Sequence, residues 1–147
     1  MTKALRRKRY KHTTWVGAHK VEDGTRMVLR DRDGNVELTY DELLGYERRA
    51  ARLVLQNVRV VDGAVLKFAR KALDLRQEDL ARILDYTASE ICRFENDSRP
   101  IPRTVQFALA DLLDRVETQG EQVLETLLDS EREDPHELEV RELRKAV

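Results

Sequence analysis

In the stretch QEDLARILDYTASEICRFEN, residues 77–96, Ser89 and Arg93 stand four residues apart, so on a helix they share one face. One is a hydroxyl that both donates and accepts; the other is a planar guanidinium whose fork of donors suits two adjacent acceptors. The residues leading into them, Thr87 and Ala88, are small. Small residues at a helix N-terminus let the backbone approach another surface, and its free N–H groups attract anions. The chemistry on offer is close-range hydrogen bonding and charge recognition.

Covalent and metal chemistry find no comparable pattern. His12, His19, His136 and Cys92 lack metal-ligand spacing. No Ser–His–Asp order, Gly-rich phosphate loop or carboxylate pair stands out. The expectation is a protein that is not an enzyme and uses no cofactor or metal. Cys92, beside Arg93, reads either as a redox-sensitive thiol or as a buried or idle residue.

Presenting such a face requires two short helices that cross closely. The first spans about 77–84, with Leu80, Ala81 and Leu84 inward. The second spans about 88–95, with Thr87 as N-cap and Ile91 and Phe94 inward. Ala81 is small where the helices touch, facing Ile91, and Asp85–Tyr86 is the turn. A helix held out in this way fits the major groove of DNA, where arginine bidentate to guanine is the commonest specific contact.

The flanking segments supply the support. TRMVLRDRDGNVELTY alternates at Met27 and Leu29, then at Val36 and Leu38, around turn residues, and predicts a β-hairpin. Thr39 with Glu42 forms a capping-box pattern. Leu43, Tyr46, Ala50 and Leu53 then recur at helical spacing, with a stop at Asn57. VRVV is short and extended. Asp62 caps GAVLKFARKAL, whose Leu66, Ala69 and Leu73 face inward. Pro100 and Pro102 set the entry into a helix striped by Val105, Ala108, Leu109, Leu112 and Val116. After Gly120 an amphipathic segment shows Val123, Leu124, Leu127 and Leu128, as core or as a dimer seam. Asp134–Pro135 breaks it, and HELEVRELRKAV reads as helix or tail.

Length and charge bound the class. The 147 residues make one ordinary domain or two small ones sharing a core. Charged residues reach 37% against about 25% in typical chains, so much of the surface is solvated or meets a charged partner. No apolar run approaches the roughly 18 residues of a membrane helix, and MTKALRRKRYKH does not read as a secretory signal. With a single cysteine, a cytoplasmic setting is expected. The net charge of −1 conceals an asymmetry: residues 1–12 carry six bases and no acid, residues 111–147 twelve acids and five bases. The basic arm reads as a mobile, solvated tail or as an arm reaching into the minor groove. The acidic segment reads as a solvated face or as a competitor of DNA.

LRQEDLARILDYTASEICRFENDSRPIP resembles the lambda-repressor-like (Cro/cI-type, XRE) helix-turn-helix family over about residues 62–116. The marks are Gln77, Leu80 and Ala81 in the first helix, Thr87, Ile91 and Arg93 in the second, then Phe94–Glu95–Asn96. The resemblance implies a mostly α fold, a five-helix DNA-binding domain preceded by a small hairpin-plus-helix unit. It implies that Gln77 meets a phosphate, that Ala88, Ser89 and Arg93 face bases, that Glu95 is structural and that Arg99 lies near the backbone. With Thr87 and Arg103 these form the expected DNA-binding set. The family usually has glycine in three turns where this chain has Asp74, Asp85 and Asp97. Aspartate tolerates left-handed geometry, so the fold is expected to survive, at some cost in affinity for phosphate if the acids lie near it. The usual Ser/Thr cap before Gln77 is Arg76, forfeiting about 1 kcal/mol of capping.

The order H-x-V-E-D-G, hairpin, helix, LKFARKALDLRQEDLA and ENDSRPIPR also resembles the MqsA-type bacterial antitoxins. Those join a small zinc-binding domain to this helix-turn-helix, dimerise, bind their own promoter and neutralise a toxin. Their zinc is held by paired CxxC motifs, which this chain lacks, so no zinc is expected. The expected organisation is a basic arm (1–14), a hairpin-helix unit (15–57), the DNA-binding domain (58–118) and an acidic amphipathic segment (119–147). The expected function is a sequence-specific transcriptional regulator, a repressor, that binds double-stranded DNA as a homodimer. The alternatives are an antitoxin that also grips a toxin protein, and a protein-binding adaptor with a degenerate helix-turn-helix.

Overall fold

The computed structural model describes residues 7–9, 11–24, 27–30 and 33–140. They form five short strands, β1 (Arg7–Arg9), β2 (His12–Val16), β3 (His19–Asp23), β4 (Met27–Arg30) and β5 (Val36–Glu37). Six helices follow: α1 (Tyr40–Asn57), α2 (Gly63–Ala72), α3 (Gln77–Leu84), α4 (Ala88–Glu95), α5 (Arg103–Gln119) and α6 (Gln122–Leu128). The chain is mostly helical, as expected.

The strands lie at the N-terminal end. The expected hairpin at 27–38 is present, with Leu29 opposite Glu37 and Arg30 opposite Val36. A second hairpin was not anticipated. β2 pairs antiparallel with β3 from His12↔Asp23 to Val16↔His19, and Gly17 turns the chain at φ +58°. β1 pairs with β4, Arg7↔Leu29 to Arg9↔Met27. The basic arm expected to be mobile is therefore a paired strand over 7–9. β1, β4 and β5 form one three-stranded sheet and β2–β3 a separate hairpin, together the N-terminal ribbon. The alternation is weak here because the strands are three to five residues long.

The β2–β3 hairpin lies on α1. Val16 and Val21 are buried, the His12 ring stacks on Tyr46 at 4.4 Å, and Asp23 receives a 2.8 Å hydrogen bond from Arg49 Nε. α1 starts at Thr39, whose hydroxyl accepts from the Glu42 N–H at 3.2 Å, and stops after Asn57 as expected. Its buried line differs from the expected one. Tyr46 and Ala50 are buried, but Leu44, Ala51, Val54 and Leu55 accompany them, and Leu43 and Leu53 are 38% and 49% exposed. The β2–β3 hairpin, α2 and α5 all pack on α1. Together they widen and rotate the buried arc beyond the single stripe that periodicity suggests.

α5 runs antiparallel beside α1. Buried Gln106 donates from Nε2 to the carbonyls of Leu55 and Val58, each at 2.7 Å, which satisfies acceptors left open at the α1 C-terminus. Arg52 reaches Asp114 at 2.7 Å and Glu117 at 3.1 Å along the same seam. One hydrophobic cluster runs from Val16 through Leu55, Leu66, Leu80, Ile91 and Leu109 to Leu124.

The five-helix count is corrected. Four helices, α2 to α5, span 63–119, one residue past the expected domain end, flanked by α1 and α6. Gly120 at φ +93° ends α5 and sends α6 back onto α3. Of the segment's apolar residues only Leu124 is buried, while Leu127 is 43% exposed. The helix stops at Leu128, six residues before Asp134–Pro135. Residues 129–140 are exposed throughout and have no apolar face against which to extend it.

Candidate nucleic-acid interface

The two helices expected at the site have the expected bounds, 77–84 and 88–95. Each is far too short to persist alone, so tertiary packing holds them. Leu80 and Ala81 of α3 and Ile91 and Phe94 of α4 are buried together. Asp85 makes the turn at φ 59°, ψ 46°, and the Tyr86 N–H returns to the Ala81 carbonyl at 2.8 Å. Tyr86 then packs edge-on against Phe94 at 5.5 Å.

α4 begins with a complete capping box. The Thr87 hydroxyl accepts from the Glu90 N–H at 3.1 Å, and Glu90 Oε1 accepts from the Thr87 N–H at 3.2 Å. Glu90 Oε2 also meets Arg99 Nη1 at 3.4 Å. Glu90 thus occupies the helix end where an anion would sit, and its charge is shared with Arg99. The outward face carries Ser89 and Arg93, both exposed, with Ala88 half-buried beside them. Among the described residues no group pairs with the Arg93 side chain. Arg103, the first residue of α5, is likewise exposed. Cys92 is exposed next to Arg93 rather than buried.

Gln77 opens α3 and is half-buried, donating from Nε2 to Glu95 Oε1 at 3.4 Å. Glu95 is chiefly the partner of Arg70. Nε and Nη2 of Arg70 each lie 2.8 Å from a Glu95 oxygen, and Nη1 donates to the Leu75 carbonyl at 2.8 Å. Both side chains are nearly inaccessible, at 10% and 5% exposure. This bidentate pair ties α2, the α2–α3 turn and α4 together. Arg70 escaped the sequence reading because it reads as one of several bases in FARKAL, 25 residues from its partner.

Asp74, Asp85 and Asp97 all adopt left-handed geometry, at φ 56°, 59° and 62°. Asp97 has a further use, since its Oδ1 accepts from the Gly63 N–H at 2.7 Å. Asp62 caps the same helix through the Val65 N–H at 3.1 Å. The N-terminus of α2 is pressed so closely to the end of α4 that a Cβ on Gly63 would fall 2.2 Å from the Glu95 carbonyl oxygen.

Arg76 has no acceptor to offer α3, but the cap is partly replaced. Asp79 Oδ2 accepts from the Arg76 N–H at 3.0 Å, and its carboxylate also meets the Arg76 guanidinium at 3.3 Å. The side-chain bond from Arg76, then the backbone one, hold the Asp79 carboxyl below the usual carboxylate range against the opposing effect of burial.

Thr87, Ala88, Ser89 and Arg93 thus lie on α4 and its cap, Gln77 and Arg99 are engaged by acids of α4, and Arg103 opens α5. Among the described residues, no group of three or more His, Cys, Asp or Glu is placed to hold a metal ion, and no helix is long and apolar enough to cross a membrane. No protein-family model, curated protein or solved structure matches the chain.

Proposed function

We propose that this chain is a sequence-specific DNA-binding transcriptional regulator, a repressor that reads the major groove with α4. The observation that carries the reading is Arg93: an exposed guanidinium with no partner among the described residues, one turn beyond Ser89, on a helix fastened from behind by Ile91, Phe94 and Glu95. Ser89 and Arg93 meet base edges. Thr87 and Arg103 flank them as phosphate contacts, Gln77 and Arg99 border the DNA backbone while engaged by Glu95 and Glu90, and Ala88 gives the backbone room to approach. The chain acts as a homodimer whose two copies of α4 enter the groove about one helical turn of DNA apart.

Selection of bound duplexes from a random pool, at two salt concentrations and with Arg93→Ala in parallel, tests this. The expected result is a palindromic consensus that the variant loses at one base pair, with a cost of about 1–3 kcal/mol on the selected site. A loss equal on all sequences would make Arg93 a phosphate contact.

A second reading, in which the helix-turn-helix binds protein, is favoured by the charge of residues 58–118, ten Lys and Arg against eleven Asp and Glu. No enrichment at either salt would select that reading, with a toxin as one class of partner.

A further inference from the structure

We propose that the N-terminal ribbon is a second contact to DNA: strand β1 grips the phosphate backbone and supplies affinity, while α4 supplies discrimination. The assignment rests on the DNA-reading proposal above.

It starts from where the charge lies. Affinity for duplex DNA depends heavily on cations that displace counterions from phosphates. Residues 58–118 are charge-balanced, and four of their ten cations are committed within the chain. Arg70 is held by Glu95, Arg76 by Asp79, Arg99 by Glu90, and Arg82 by the Leu128 carbonyl at 2.8 Å. Residues 119–147 hold nine acids and four bases, and repel phosphate. Residues 1–37 are the reverse, ten bases and five acids. Three of those bases, Arg7, Lys8 and Arg9, are consecutive on β1.

The strand register adds a second observation. An acid directly across a strand pair is well placed to neutralise a base. The residues opposite Arg7, Lys8 and Arg9 are Leu29, Val28 and Met27. The next cations along the ribbon differ, since Lys11 and Lys20 are both tied to Glu22, at 3.1 and 3.4 Å. β1 is also an edge strand, in the order β1-β4-β5. Two residues after it, β2 packs on α1 and α2, and the Gly17 turn abuts Val65 and Asp62. The basic tract is thus carried by a paired strand, and the hairpin that follows it packs on the helical body.

The test uses the full chain with Arg7→Thr, Lys8→Thr and Arg9→Thr combined; threonine keeps strand propensity. A charge-conserving control carries Arg7→Lys and Arg9→Lys. Affinity is measured against salt for the selected site and for a scrambled duplex. Each phosphate-neutralising cation contributes about 0.9 to the slope of log affinity on log salt. The threonine variant is expected to lose about 2–3 from that slope on both duplexes, with the preference between them unchanged and the lysine control like wild type. If the triple variant does not fold, the three single substitutions read the slope in steps of about 0.9. A wild-type slope in the threonine variants overturns the ribbon contact alone. If those variants also aggregate, the cations guard a sheet edge instead. A wild-type chain with no salt-dependent affinity for either duplex overturns the DNA reading itself.

Discussion

The α2–α5 block ties several of its basic residues to acids, whereas β1 sets its three across the strand register from apolar residues. In the block, Arg70 is sealed against Glu95 and Leu75, Arg76 props the start of α3 through Asp79, and Arg99 shares Glu90 with the cap of α4. These cations hold helices in place, and Arg93 is left to face outward. On β1 three cations follow one another with apolar residues across the register. The block ties part of its charge into geometry; the register of β1 sets no acid directly opposite its three bases. The DNA reader proposed above would need both, because base discrimination demands a rigidly aimed side chain, while phosphate affinity demands cations without a competing acid nearby.

The most direct way to break this comparison is to remove a cation from the block. Arg70→Met leaves Glu95 charged and buried, and is expected to destabilise the fold by about 3–5 kcal/mol in urea unfolding. Arg70→Met with Glu95→Leu should recover most of that loss, because no uncompensated charge remains. If Arg70→Met unfolded at the wild-type urea concentration, the structural role given to the block's cations would fail. The threonine substitutions on β1 should shift the unfolding midpoint far less while altering the salt slope.

Next in size is the joint that aims α4. Gly63→Ala would put a methyl group into the Glu95 carbonyl, where backbone rather than a flexible side chain must yield. Overpacking of this kind costs about 1–3 kcal/mol. It should also shift the amide NMR signals of residues 94–97 more than those of the ribbon. Shifts confined to α2 would show that α4 is aimed by something else.

The smallest effect concerns pH. Asp79 has its carboxyl lowered in the folded chain, first by the Arg76 side chain and then by its N–H. A group whose folded pKa lies below its unfolded value, about 3.9 for aspartate, stabilises the fold above that value. The contribution disappears as pH falls through the folded pKa. Asp79→Asn should therefore flatten the loss of stability below about pH 4, while wild type and variant differ by a constant near neutrality. An unchanged acid limb would mean that Arg76 and Asp79 do not interact in solution.

Much of the helix-turn-helix was legible because its determinants are local. Thr87 followed by Glu90 specifies a cap, Asp62 specifies another, and the spacing of Leu80, Ala81, Ile91 and Phe94 sets the faces of two short helices. The three aspartates in left-handed turns were anticipated through the family resemblance, which sets glycine at those positions, and aspartate is among the few other residues that accept the geometry. The ribbon was half legible: DRDGN marks its own turn, whereas the β2–β3 hairpin offers only Gly17 and five-residue strands.

What only the tertiary structure decided are the matches between distant positions. Nothing near Arg70 points to Glu95, nothing near Gln106 points to the carbonyls of Leu55 and Val58, and Asp97 finds the Gly63 N–H across 34 residues. The buried line of α1 belongs to the same group, since it depends on the β2–β3 hairpin, α2 and α5 all packing on that helix. Local sequence sets which φ/ψ, caps and faces a segment prefers. Which buried polar group satisfies which, and which cation is left to face outward, is settled only once the helices have packed and water has left between them.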